Sequence, residues 1–220
     1  VFFIVPLSAL LLVERAQAVR LMLGIGAATR FPFADTKIVA ESLGLFCISL
    51  FAQALVPLFT RVFYARHNTM VPFVIGFATI AFNILLTFLL TRQFGIPGMA
   101  LSYSITNILN LIILIFAVHH HIGGFHDEYL IVNSLKIVIA SLLAAAAAFL
   151  GLYALVHAVN ITTYVGVLIQ GVAAGAAGII VYLGASWILG ISEAHHFIRV
   201  LKLATQKLGR PINMIWNWKL

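Results

Sequence analysis

The chain has 220 residues, 63% of them hydrophobic and only 9% charged, and its mean hydropathy is +1.10. Those values lie far outside the composition of a soluble domain and exclude one. Thirteen Lys and Arg against six Asp and Glu give a formal charge of +7, an excess that in so apolar a chain points to the anionic surface of a membrane and not to nucleic acid.

A helix needs about 20 largely apolar residues to cross roughly 30 Å of hydrocarbon. Val1 opens inside an apolar run with no Met, basic leader or small-residue cleavage site. It is therefore read as part of a membrane span, with further helices of the same protein expected upstream. This first span runs to about Leu23, and Glu14, Arg15 and Arg20 in its second half point in different directions around a helix. They mark the helix rising into the interface or, alternatively, the lining of a charged cavity. After a turn-like stretch over 24–35, five segments contain no Asp, Glu, Lys or Arg: Ser42–Thr60, His67–Thr91, Gln93–Val118, Ile137–Val156 and Ala158–Ser192. The single cysteine, Cys47, lies in the first of these and reads as a small buried apolar residue.

The expected fold is all-α, a polytopic transmembrane bundle of six spans. Residues 1–120 hold four spans, 121–136 a loop, 137–192 two more spans, and 193–220 a basic amphipathic tail with Arg199, Lys202, Lys207 and Arg210 among Phe197, Leu201 and Leu203. Gly95-Ile96-Pro97-Gly98 is a tight turn, and Gly123-Gly124 sits in the longer loop. Short connections imply antiparallel neighbours. Arg61, Arg66, Lys136 and the basic tail outnumber the Lys and Arg of the other side, which orients the 121–136 loop and the C-terminus toward the cytoplasm.

Polar residues inside the spans fall into rows. Ser42, Ser49, Gln53 and Thr60 lie within about 40° of one another on a helix, and Thr79, Asn83 and Thr87 repeat every fourth residue, as do Ser102, Thr106 and Asn110. Hydrocarbon offers such groups no partners, so the rows face neighbouring helices or a wet cavity. Hydrogen bonds that only hold helices together and the wall of a translocation path are both open readings. The candidate cavity residues are Ser49, Gln53, Thr79, Asn83, Thr87, Ser102, Thr106 and Asn110. In the last two spans small residues dominate, notably Ala144, Ala148, Gly171, Gly175 and Gly178. These positions permit close helix packing or leave a groove for acyl chains.

Other features carry little chemistry. His119, His120, His121 and His126 read as a solvated loop and not a metal site, because they lack the spacing that puts two imidazoles on one helical face. Trp187, Trp216 and Trp218 read as interface anchors. No GxxxxGK[ST] loop and no catalytic constellation occurs, so neither an enzyme nor a bound cofactor or metal is expected.

The segment from Arg61 through Val62, Phe63, Tyr64, Ala65, Arg66, His67, Asn68, Thr69, Met70 and Val71 to Pro72 resembles the "R-x-F-Y-A-x-x-D-T-x-x-P" connection of the MurJ/MviN family, departing at Asn68 where the family has Asp. Leu21-Met22-Leu23-Gly24 followed by Asp35-Thr36, and Gly95 through Ser104, are similar to two further landmarks of that family in the same order. The resemblance implies a lipid II flippase of the multidrug/oligosaccharidyl-lipid/polysaccharide exporter superfamily in the bacterial cytoplasmic membrane. The six spans would be helices nine to fourteen of fourteen, with 1–120 in the second lobe. It further implies alternating access, a lipid-linked saccharide precursor as substrate, and a polyprenyl-tail groove in the last two spans. Within it, Arg61, Phe63, Tyr64, Ala65, Arg66, Thr69 and Pro72 form the cytoplasmic motif loop. Membrane lipids and the upstream helices are the other partners. The rival readings are another exporter of that superfamily, for O-antigen or teichoic-acid precursors or for drugs and cations, and a scaffold that transports nothing.

Overall fold

The structure, a computed structural model, describes residues 1–23, 33–122, 127–156, 163–191 and 193. All described elements are helices: α1 Ile4–Val13, α2 Arg15–Leu23, α3 Phe33–Ala65, α4 Met70–Phe94, α5 Ile96–Ile122, α6 Asp127–Val156 and α7 Tyr164–Ile188. The basic tail beyond 193, residues 24–32, the Gly123–His126 stretch, Trp216 and Trp218 lie outside the described residues.

Helices α3 to α7 are each long and apolar enough to cross a membrane, matching the five uncharged segments. The expected first span differs, because it is divided into α1 and α2 at Glu14, whose ψ of 8° leaves the helical region. With 10 residues, α1 reaches about 15 Å, half the hydrocarbon thickness. Two consecutive charges, Glu14 and Arg15, are costly to carry straight on through hydrocarbon, and the helix axis breaks where they begin. The break keeps its backbone bonds, Glu14 N–H to the Leu10 carbonyl at 2.9 Å and Ala18 N–H to the Glu14 carbonyl at 2.9 Å.

Two other expected boundaries move. His119, His120 and His121 form the last turn of α5, not a loop, and α6 already starts at Asp127, so the connection expected over 121–136 is mostly helical. Likewise, Arg61 to Ala65 belong to the end of α3, and only 66–69 turn. The uncharged stretch marks the hydrocarbon-length portion of a helix, while hydrogen bonding continues past it into the interface, where polar side chains are at no disadvantage.

That 66–69 turn is built by backbone chemistry. His67 takes a left-handed φ of 57°, and Asn68 N–H reaches back to the Phe63 carbonyl at 3.1 Å, closing the end of α3 as a Schellman turn. The Asn68 side-chain oxygen accepts from Val71 N–H at 3.3 Å and so satisfies one free donor of α4. Asn therefore supplies here the same acceptor that Asp would.

Helix α5 lies between α3 and α4, α6 pairs with α7, α1 packs on α6 and α3, and α2 packs on α3 and α7. Helices α3 and α5 run parallel: Phe46 stacks edge-on to Tyr103 at 5.3 Å near one end, and Arg66 donates to the His121 carbonyl at 2.9 Å at the other. Phe2, Leu10, Ala140, Ala144 and Tyr182 make one core cluster, and Phe63, Leu114 and Val118 a second. Large apolar side chains such as Phe77, Phe116 and Ile180 face outward, as expected where the surrounding solvent is hydrocarbon.

Candidate functional site

The polar rows of α4 and α5 meet. Thr87 and Ser102 hydroxyls lie 2.7 Å apart, and Asn83 Nδ2 donates to Thr106 Oγ1 at 3.1 Å. Ser102 and Thr106 also donate to the Met99 and Ser102 carbonyls of their own helix. Thr79, almost fully buried, bonds the Ile75 and Gly76 carbonyls. Rows repeating every fourth residue on two antiparallel helices stay in register over several turns, which is why successive pairs close like this.

The seam is dry at Ser102 and opens beyond Thr106. A cavity of about 170 Å³ is bounded by Thr79, Ile80, Asn83, Tyr103, Thr106, Asn107 and Asn110. It is polar enough and large enough for several waters. The Asn110 side-chain oxygen is buried beside it without a hydrogen-bond partner. A second, wider cavity of about 480 Å³ continues from Asn83 past Thr87 and Thr91 to Arg92.

The row on α3 does not join this seam. Ser104 projects about 200° around α5 from Ser102. Its hydroxyl donates to the Leu45 carbonyl at 2.6 Å and lies 3.0 Å from Ser49 Oγ. Gln53 donates to Ser49 at 2.9 Å, and Ser42 and Thr60 bond carbonyls of their own helix. Ser49 and Ser104 are buried. Thus α5 uses one face for α3 and another for α4, and the three rows form two separate contacts. Ser104, Tyr103, Asn107 and Arg92 were not among the residues expected from sequence. A row at Tyr103, Asn107 and Asn110, spaced i, i+4, i+7 beside Ser102 and Thr106, is the signal that could have found two of them.

The motif residues around Arg61 do structural work at the opposite end. Phe63 is 1% exposed, packed with Leu114 and Val118 and edge-on to the His121 ring at 6.0 Å. Arg66 ties α3 to α5 through the His121 carbonyl. Thr69 and the buried Pro72 begin α4, while Arg61, Tyr64 and Ala65 are exposed. Among the described residues no group of three or more His, Cys, Asp or Glu converges as a metal site would need.

The small residues of α6 and α7 are filled by protein. A Cβ on Gly178 would collide with the Leu10 side chain and sit 3.2 Å from the Ala144 carbonyl and 3.3 Å from Ala148 Cβ. On Gly175 it would lie 3.0 Å from Glu14 Oε1, and on Gly171 it would lie 3.7 Å from Gln17 Cβ. This glycine face is the bed of the broken α1–α2 element, while Ala144 and Ala148 are fully buried against α7. Gln170 closes the pair by donating to the Leu152 carbonyl at 2.9 Å.

The described residues are helical, with five helices long and apolar enough to cross a membrane and with polar side chains gathered between them, the architecture of a polytopic membrane protein. The family described as "Lipid II flippase MurJ" matches residues 1–169, more than half the chain. The chain belongs to the MurJ family. A probable lipid II flippase MurJ from Bdellovibrio bacteriovorus is 25% identical over 111 residues, 50% of this chain and 21% of that relative. A solved lipid II flippase MurJ in an inward closed conformation shares the fold with a TM-score of 0.64 and 24% identity, over 85% of this chain and 36% of that one. The chain thus spans about a fifth of the curated relative and about a third of the solved structure.

Proposed function

We propose that this chain is the C-terminal part of a flippase that carries the lipid-linked peptidoglycan precursor, lipid II, across the bacterial cytoplasmic membrane by alternating access. Its C-terminus would lie in the cytoplasm. The observation that carries the reading is the α4–α5 seam, with its open flank at Asn83, Asn107 and Asn110, in a chain matched by the lipid II flippase family over most of its length.

The physical demand is severe: a diphosphate-saccharide head group cannot shed its hydration into hydrocarbon without prohibitive cost. Uncharged amides and hydroxyls along a furrow replace part of that hydration without binding the head group too tightly to release. Residues 1–120 act as the wall of one lobe. The exposed apolar faces of α6 and α7, including Leu142, Phe149, Val172 and Ile179, suit the polyprenyl tail better than the small residues, which are occupied. Retention of positive charge on the cytoplasmic side supports the orientation.

The test is translocation of fluorescent lipid II in proteoliposomes by the full-length flippase of which this chain is proposed to be part, with an O-antigen precursor and a drug cation as competing cargoes. Movement of lipid II alone is expected. Movement of either competitor in its place, or of nothing, would overturn the reading.

A further inference from the structure

The two cavities share Asn83 and so continue one another as a furrow along α4 and α5. From Asn83 to Arg92 the helix rises about 14 Å, toward the end of the bundle opposite Arg66 and His121. At that end the furrow widens, and its lining changes from amides to a mostly apolar wall of Ile84, Phe88 and Met99 that carries two threonines and one cation, Arg92. The Arg92 guanidinium lies 4.0 Å from the centroid of the Phe88 ring one turn earlier, which holds its planar fork in place. Among the described residues no carboxylate pairs with it, and the ion pair found there is Lys37 with Glu41 at 3.8 Å. Beside it, the Thr91 hydroxyl is buried in the wall without a hydrogen-bond partner.

An unanswered guanidinium next to an unused hydroxyl, at the mouth of a cavity of about 480 Å³, is a donor set that fits phosphate oxygens. The guanidinium fork matches them in pairs, and a hydroxyl can add a third donor. We infer that the wide end of the furrow is an anion subsite that takes the phosphate groups of an isoprenoid-linked substrate, with Arg92 as its charged anchor and Thr91 as a supplementary donor. This rests on the proposed function and adds where the phosphates dwell at one end of the path.

Any interfacial arginine attracts bulk phospholipid, so the test separates the two sources of phosphate. The purified protein in detergent is titrated with farnesyl diphosphate, with inorganic pyrophosphate and with phosphatidylglycerol micelles. The variants Arg92→Ala, Arg92→Lys and Thr91→Val are compared with Lys37→Ala, which removes a surface cation at the same end of the bundle. Arg92→Ala is expected to weaken farnesyl diphosphate about tenfold or more, the effect of roughly one charge-assisted hydrogen bond. Arg92→Lys should recover only part of this, Thr91→Val should weaken binding severalfold, and Lys37→Ala should change nothing.

The inference is overturned if wild-type protein does not bind farnesyl diphosphate, if phosphatidylglycerol displaces it at equal concentration, or if Arg92→Ala binds as wild type does. Lipid II translocation by the same preparation reads the proposed function independently. Protein that translocates with unaltered diphosphate binding in Arg92→Ala sinks only the subsite, whereas protein that binds diphosphate but moves no lipid II sinks the function.

Discussion

Whether the α4–α5 seam only glues helices together or also serves as a path is decided by comparing stability with transport in Asn110→Leu and Asn83→Leu. Asn110 has a buried side-chain oxygen without a partner, and an unmet buried acceptor costs about 1 to 3 kcal/mol. Removing it should leave the fold as stable or more stable by about 1 kcal/mol. Asn83→Leu removes the 3.1 Å bond to Thr106. Interhelical bonds in membranes are worth about 0.6 kcal/mol on average and about 1.7 at most, or about three- to sixteenfold in the folding equilibrium. Thr106 keeps its bond to the Ser102 carbonyl, so no donor is orphaned. If the seam is only glue, transport follows stability and Asn110→Leu is fully active. If it lines the path, both variants lose most lipid II translocation, although Asn110→Leu unfolds no earlier than wild type in a denaturant titration. Gln53→Leu, which loses an amide bonded to Ser49 of its own helix, should keep translocating. Wild-type translocation by folded Asn110→Leu would refute the path.

Three further outcomes follow from packing. Gly178→Val should destabilise the α6–α7–α1 contact by about 1 to 3 kcal/mol, whereas Gly76→Ala, with open space where its Cβ would go, should stabilise by about 0.5 to 1 kcal/mol through helix propensity; thermal unfolding in detergent checks the opposite signs. Within the Phe63-Tyr64-Ala65 motif, Phe63→Ala should cost about 3 kcal/mol and Tyr64→Ala, at an exposed site, less than about 0.5, read by the same melts. Tyr182→Phe removes the 2.5 Å bond from the tyrosine hydroxyl to the Phe2 carbonyl. It should cost about 1 kcal/mol and speed amide exchange in the first turns of α1.

The amino-acid sequence by itself determined that the chain is a bundle of membrane helices, because uncharged runs of about 20 residues admit no other structure in hydrocarbon. It also determined which side chains must be shielded from lipid, and the Arg61–Pro72 motif carried the family. The tertiary structure alone decided which rows meet. A row at i, i+4, i+8 fixes a face of its own helix but not the identity of the neighbour. Ser49 therefore found Ser104, while Asn83 found Thr106. The fate of the small residues was decided in the same way: Gly171, Gly175 and Gly178 are equally suited to a groove or to a helix, and the break at Glu14 supplied the helix. Side-chain periodicity is a local property, whereas the partner across an interface depends on how distant segments stack, and no local pattern encodes that.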